Sequence, residues 1–567
     1  MRLGLGIRKA LLTTTAVAAF AACGDTSVMA GDTEALLSLL ASKGVISSSE
    51  ARAVTSAPPA EQGDRLVAIL RKKGVLADGD MQALKSKSRP ASVATTDARP
   101  APASVVVPPA TAPVGPAPMP RKAASIEVGG FEIAPVGYLA LTGVSRNTNA
   151  GTATTTNFGA IPFNNTIQGN NTETRLSAQN SVLGLRAHGN IRGVDLTGYF
   201  EGDFNGNDPA NVYVNSNSHT FRMRLAYADV KAGQFETTFG QTYSWLTPNR
   251  YGMGPDPSDI FLTNNIDQNY QVGLPWARQA AAHFAWHATP NFTIGAGVEN
   301  PQQFTNNEVV FPTAFNAQLQ NQFDNGANPG TPNRIPDVVA KAAYDSDVWS
   351  GTRLHLEAAG MWRHFRVNNL VQGAPDFGWH DANGWATTVA GNLEFFNTFT
   401  LVGNAFWSAG GGRYLGALGP DVVALPTGPA GMHDIALSTV RSHGFLGGFE
   451  WRVLNPTVLS AYYGQAYFDR NYAVDTTSMA PVQPYIGFGF PGSLTIPGSA
   501  NSNNKQIEQW TLDLKHTFWA DPQYGAITGL AQYSYLRREA WFVANGAPPE
   551  AHTHLFFTEL RYQLPGN

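Results

Sequence analysis

The 567 residues carry only 14% charged side chains and a formal net charge of −4, where an ordinary soluble domain carries about 25% charged residues. No run reaches the roughly 18 apolar residues of a membrane-spanning helix, and the charge balance lacks the basic footprint of a nucleic-acid binder. One cysteine excludes a disulfide scaffold and a cysteine-based zinc site.

The first thirty residues read as an export leader. Arg2, Arg8 and Lys9 precede the apolar stretch from Ala10 to Ala22, which is too short to cross a bilayer. Val28-Met29-Ala30 fits signal-peptidase cleavage and places the mature start near Gly31; lipid attachment at Cys23 is the alternative. Residues 31–88 hold a duplicated helical module. Leu36, Leu39, Leu40 and Lys43-Gly44-Val45 recur as Leu66, Ile69, Leu70 and Lys73-Gly74-Val75. Each copy is an apolar helical face closed by Lys and Gly, followed by a second short helix bearing Glu50 or Asp80. The module is either a plain helical bundle or a periplasmic handle for self-association or cell-wall contact. Residues 89–125 are a Pro- and Ala-rich linker, with eight prolines from Pro100 to Pro120, and read as an extended spacer.

From residue 126 to 567 the pattern changes to period two. Sixteen candidate strands follow, at 131–146, 174–189, 193–204, 219–231, 233–243, 276–288, 291–299 and 336–346, then 351–366, 382–395, 396–408, 440–453, 456–470, 506–519, 525–538 and 553–564. Long segments (147–173, 205–218, 244–275, 300–335, 409–439, 471–505) contrast with connections of a few residues elsewhere. Long loops on one rim and short turns on the other are the layout of a membrane barrel. The expected fold is therefore all-β: a 16-stranded antiparallel transmembrane β-barrel, with 18 strands as the alternative, preceded by a short α-helical periplasmic region.

Within these segments apolar and polar residues oppose one another. Phe221, Met223, Leu225 and Tyr227 share one face, and Arg222, Arg224 and Ala226 the other. Leu196, Phe200 and Phe204 oppose Asp195, Tyr199, Glu201 and Asp203; Trp510, Leu512 and Leu514 oppose Thr511, Asp513 and Lys515. The leader, the low charge and the aromatics near strand ends (Tyr138, Trp276, Trp286, Trp385, Trp519) turn the apolar face toward lipid. Sixteen strands enclose an aqueous bore, whereas eight would be filled by side chains.

The motifs Asn180-Ser-Val-Leu-Gly-Leu-Arg186, Glu201-Gly-Asp-Phe204, Phe221-Arg-Met-Arg-Leu-Ala-Tyr227 and Phe239-Gly-Gln-Thr242 resemble the early strands of bacterial outer-membrane porins, above all the DcaP-like trimeric porins with an N-terminal periplasmic helical extension. The resemblance covers residues 130–300 by motif order and the remainder by strand pattern alone. It implies a trimer with the third loop folded inward. The terminus Arg561-Tyr-Gln-Leu-Pro-Gly-Asn567 departs from the family, whose last strand ends in Phe.

A passive pore needs charges at a constriction and no catalytic group or cofactor. The wall cations expected there are Arg186, Arg222, Arg224, Arg353 and Arg452. Asp256, Asp259 and Asp267 lie on the long segment 244–275, and Glu201 and Asp203 on the wall. Cations facing loop acids would set up a transverse field and favour small anions such as carboxylates. Alternatively the arginines pair with Glu201 and Asp203 and only keep the lumen wet. His552 and His554 are too few for a metal site and read as exposed rim residues. The expected partners are outer-membrane lipid, small hydrophilic solutes and two further copies of the chain, with no nucleic acid. The competing functions are a lipid-hydrolase barrel, which would have about twelve strands, and a tether to the cell wall through residues 31–88.

Overall fold

The computed structural model describes residues 46–57, 65, 69, 72, 125–149, 154–206, 219–255, 270–326, 331–373, 376–429, 432–495 and 503–565. They fall into two units, 1–115 and 116–567. The expected leader, most of the expected duplicated module and most of the expected Pro-rich linker lie outside the described residues.

In the first unit Ser48–Thr55 is helical. Ser47 caps it: the Ser47 hydroxyl accepts from the Glu50 backbone N–H, and the Glu50 carboxylate accepts from that of Ser47 at 2.6 Å. Two of the orphan N–H groups of the helix start are thereby satisfied.

The second unit is a closed antiparallel barrel of sixteen strands. In chain order they are β1 (Phe131–Arg146), β2 (Val182–Ile191), β3 (Val194–Asp203), β4 (Arg222–Ala232), β5 (Phe235–Tyr243), β6 (Arg278–Thr289), β7 (Phe292–Glu299) and β8 (Asp337–Trp349). The second half comprises β9 (Thr352–Leu370), β10 (Phe377–Phe395), β11 (Phe399–Ala409), β12 (Arg441–Leu454), β13 (Thr457–Phe468), β14 (Asn504–Asp521), β15 (Gly525–Ala540) and β16 (Glu550–Gln563). Each pairs with its neighbour, and β16 closes on β1 from Tyr138↔Gln563 to Arg146↔Leu555. The expected strand at 174–189 is two pieces. Glu173–Ser177 pairs with the outer half of β1 and β2 with the inner half, because the chain turns at Ala178–Ser181 and Ser181 hydrogen-bonds the Ala140 backbone. Among the described residues no helix is long and apolar enough to cross a membrane.

Alternation sets the two faces. On β10 the outward row runs Trp385, Thr387, Val389, Gly391, Leu393 and Phe395, apolar or small at almost every position. Ten steps of about 3.3 Å from Trp385 to Phe395, tilted about 40°, give an apolar band about 25 Å tall, the height such bands have in outer-membrane barrels. Exposed Phe235, Trp286, Trp349, Trp451 and Trp519 ring the short-turn rim; Trp362, Trp385, Trp407 and Trp510 ring the other. The closed ladder leaves no open sheet edge to face hydrocarbon, and lipid solvates the outward side chains. Two expected girdle residues point elsewhere. Tyr138 turns inward beneath the Arg561 guanidinium, 3.7 Å from its ring, and Trp276 lies in the β5–β6 loop against Tyr243.

The long loops fold back inside. Trp245, Leu246, Tyr270, Val272, Leu274, Tyr414, Leu415 and Phe488 from the loops form one core with Val339, Phe406, Leu446 and Ile507 from the wall. The expected open bore is thus packed on its long-loop side, where apolar wall residues such as Val339, Phe406 and Leu446 meet the loops.

Candidate functional site

The predicted wall cations Arg222 and Arg224 both point inward, for a reason alternation alone does not give. Arg222 is in register with Asp203 and Met223 with Gly202, but Leu225 pairs with Glu201, so Arg224 is the extra residue of a β-bulge. Beyond the bulge the faces exchange. Leu225 is fully buried inside and Tyr227 stacks on Tyr199 at 5.2 Å, while Ala226 and Ala228 join Phe200 and Phe239 on the outer wall. The expectation that Leu225 and Tyr227 share the lipid face with Met223 is therefore corrected, and Ala226 moves from the inner face to the outer.

Both arginines are held by carboxylates. Arg222 Nε donates to Asp203 Oδ1 at 2.8 Å; Arg224 donates from Nε to Glu201 Oε1 at 2.9 Å and from Nη1 to Asp203 Oδ2 at 3.0 Å. Asp203 is completely buried between the two guanidinium groups. These four predicted residues form one compensated cluster. Arg186 is separate: it stands in register with Tyr199 on the inner face, exposed, with no carboxylate partner among the described residues.

The β5–β6 segment crosses the lumen. Its described parts are 244–255 and 270–277; Asp256, Asp259 and Asp267 lie outside the described residues. Trp245 stacks on His283 of β6 at 4.3 Å, and its N–H donates to Glu299 of β7 at 2.9 Å. Lys341 of β8 donates to the Thr247 carbonyl at 3.0 Å and to Asn249 Oδ1 at 2.7 Å. The Asn249 N–H donates to Glu357 of β9 and the Gly252 N–H to Asp345 of β8, each at 3.1 Å. Arg250 forms an ion pair with Glu450 of β12, and Asn392 of β10 donates to its carbonyl. On the return, the Val272 N–H donates to Gln509 and the Gly273 carbonyl accepts from Asn404. Here backbone lies on backbone. A Cβ on Gly273 would meet the Phe445 carbonyl at 2.1 Å, and one on Gly464 the Val272 carbonyl at 1.8 Å, so only glycine fits.

Toward the short-turn rim the lumen opens into two cavities of about 540 Å³ and about 270 Å³, both lined by Arg250, Glu394 and Thr400. Strand register explains their charges. Arg353, Glu394, Thr400, Glu450, Ser460 and Asp513 lie on one rung across β9–β14; Arg452, Val458 and Lys515 lie on the next. Predicted Arg353 is paired with Glu394, and Glu450 is taken by Arg250 and the Tyr462 hydroxyl. Predicted Arg452 donates to the Asn397 carbonyl, and neither it nor Lys515 forms an ion pair among the described residues. Sequence reasoning missed Arg250, Glu450, Lys341, Glu357 and Lys515 as site residues. Parity placed Lys515 on the inner face, but only strand register shows what it meets.

Closer to the long-loop rim, Arg363 and Arg413 share Asp337 and Asp421 in a buried network capped by Tyr414. In the β7–β8 loop, Glu308 accepts from Asn504 at 2.9 Å, and burial pushes its carboxyl up to about 8. His552 and His554 pack around Tyr535, and no group of three metal-binding side chains occurs among the described residues.

No protein-family model and no curated protein matches the sequence. Among solved structures, the outer-membrane channel DcaP of Acinetobacter baumannii is similar at a TM-score of 0.52 and 14% identity, over 78% of this chain and 100% of that one. The chain has the sixteen-stranded porin fold. The anion-selective porin from Comamonas acidovorans (TM-score 0.41, 10% identity, 76% and 99% covered) and OprB of Pseudomonas putida (0.40, 10%, 76% and 94%) also match. Within this porin fold the cross-lumen segment, the compensated cluster and the two cavities are the features that differ in charge from place to place.

Proposed function

We propose that the chain is an outer-membrane porin through which small hydrophilic solutes diffuse passively, with a preference for anions such as carboxylates. The rung bearing Arg452 and Lys515 carries this reading: both cations face the larger cavity without a carboxylate partner, while Glu394 and Glu450, which line the same cavity from the neighbouring rung, are each neutralised by an arginine. Arg186 adds a third uncompensated inward cation. Sixteen strands support a channel over a lipid-hydrolase barrel of about twelve. In this reading the segment 244–255 is the constriction, supported by its bonds to the inner faces of β7, β8, β9, β10 and β12. The functional unit is a homotrimer with its N-terminal region in the periplasm, where residues 31–88 touch the cell wall. Reversal potentials of the reconstituted protein in a salt gradient test selectivity: an anion-selective sign is expected, and a cation-selective one refutes the preference. Chemical cross-linking in native membranes should give a trimer, and a monomer would refute it. Pull-down of the full chain on purified cell wall tests the last contact.

A further inference from the structure

The anchor of the cross-lumen segment has a feature that simple anchoring does not need. Asp345, His355 and Asn392 stand on one rung of β8, β9 and β10. His355 is buried, and both of its ring nitrogens meet carboxylates: Nδ1 lies 2.8 Å from Asp345 Oδ1 and Nε2 lies 3.1 Å from Glu357 Oε2. An ionised carboxylate only accepts, so with both acids ionised the two contacts together call for the doubly protonated, positively charged ring. The same two carboxylates accept the segment's backbone N–H groups, Asp345 from Gly252 and Glu357 from Asn249. Glu357 also holds Lys341 at 2.9 Å. His355 is thus the keystone between two acids that each grip the segment.

We propose that His355 is a positioning residue that seats the constriction segment only while its ring is charged, so that the constriction loosens when the ring loses its proton. The proposal rests on the constriction reading of residues 244–255. The charged and titratable groups facing the seat are Lys341, Asp345 and Asp347 from β8, Arg353 and Glu357 from β9, Glu394 from β10, and Arg250 and Tyr251 from the segment itself; Glu299 of β7 acts on Lys341. With the ring charged, His355 and Lys341 balance Asp345 and Glu357. With the ring neutral, one ring nitrogen turns a lone pair toward a carboxylate, and the buried group keeps one uncompensated negative charge. Both acids then hold the Asn249 and Gly252 N–H groups less firmly, since their own orientation has lost a charge-assisted hydrogen bond.

The full-length protein in planar bilayers tests this. Transient current steps from segment motion should become about tenfold more frequent between about pH 6 and about pH 9, a window that brackets imidazole titration. His355→Gln, neutral throughout, should show the high frequency at both pH values. A wild-type frequency that does not change across this window overturns the proposal, and so does a His355→Gln channel that keeps the wild-type pH response. Should His355→Gln not fold, amide exchange of residues 249–252 in the wild-type protein, corrected for the intrinsic pH dependence of exchange, decides the matter. Protection should fall about tenfold over the same window, and unchanged protection refutes the seat. The constriction reading fails separately, if shortening 244–255 leaves the open conductance unaltered.

Discussion

Replacing Arg452 and Lys515 together by Gln is the sharpest test of the proposed selectivity. A unit charge about 5 Å from a permeating ion in water is worth about 0.8 kcal/mol, and at about 0.1 M salt screening leaves about 0.5 kcal/mol. Two such cations favour an anion by about 1 kcal/mol and disfavour a cation by as much. Their removal should lower the anion-to-cation permeability ratio by about 2 kcal/mol, roughly thirtyfold as an upper value. The assay is the reversal potential in a salt gradient across a bilayer holding the reconstituted protein. A charge-neutral control, Arg353→Gln with Glu394→Gln, removes an ion pair whose Glu394 lines both cavities and whose Arg353 lines the smaller one, and should leave the ratio in place. A double variant whose ratio moves by less than about twofold would refute the assignment, because it would mean that ions pass outside the reach of these side chains.

Three further outcomes follow from particular residues. Asp203→Ala leaves Arg224 buried beside a lost partner and should cost about 3–5 kcal/mol in denaturant unfolding from detergent; a loss below about 1 kcal/mol would contradict the compensated cluster. Ala228→Arg should cost about 2–4 kcal/mol, because the bulge at Arg224 turns position 228 toward lipid; a neutral effect would restore the unbroken alternation. Glu308, whose carboxyl is raised from 4.5 to about 8 by burial, binds more protons in the folded state than in the unfolded one between those values. Its contribution to stability is complete below about pH 4.5 and is lost as pH rises through about 8, so the wild-type melting temperature should fall across that window relative to Glu308→Gln.

The barrel was legible because lipid and water impose opposite demands on successive residues. Rows such as Trp510, Leu512 and Leu514 against Thr511 and Asp513 announce both the strands and their faces. What stayed hidden has specific causes. The bulge at Arg224 leaves no mark in the sequence, since Leu225 and Tyr227 prolong an apolar alternation that the backbone has already reversed. Val339, Phe406 and Leu446 are apolar yet point inward, because loops distant in sequence pack on them; strand parity cannot see loops. The seat joins Lys341 and Asp345 to His355 and Glu357 across a strand pair and onto Asn249 and Gly252, contacts that exist only once register and loop path are fixed. Of the predicted site, Arg222, Arg224, Glu201 and Asp203 come together, Arg186, Arg353 and Arg452 stand apart on the wall, and Asp256, Asp259 and Asp267 lie outside the described residues.

Which side of β11 meets water is the claim on which the rest depends. Thr400 lines both cavities, whereas neighbouring Leu401 is 45% exposed on the outer wall. Cys23 is the sole native cysteine and lies far from the barrel in sequence, so with Cys23 replaced by Ala, Thr400→Cys and Leu401→Cys can be probed singly with a membrane-impermeant, charged thiol reagent during current recording. A stepwise conductance change is expected at position 400 and none at 401. Modification that alters current at 401 while 400 stays silent would contradict it.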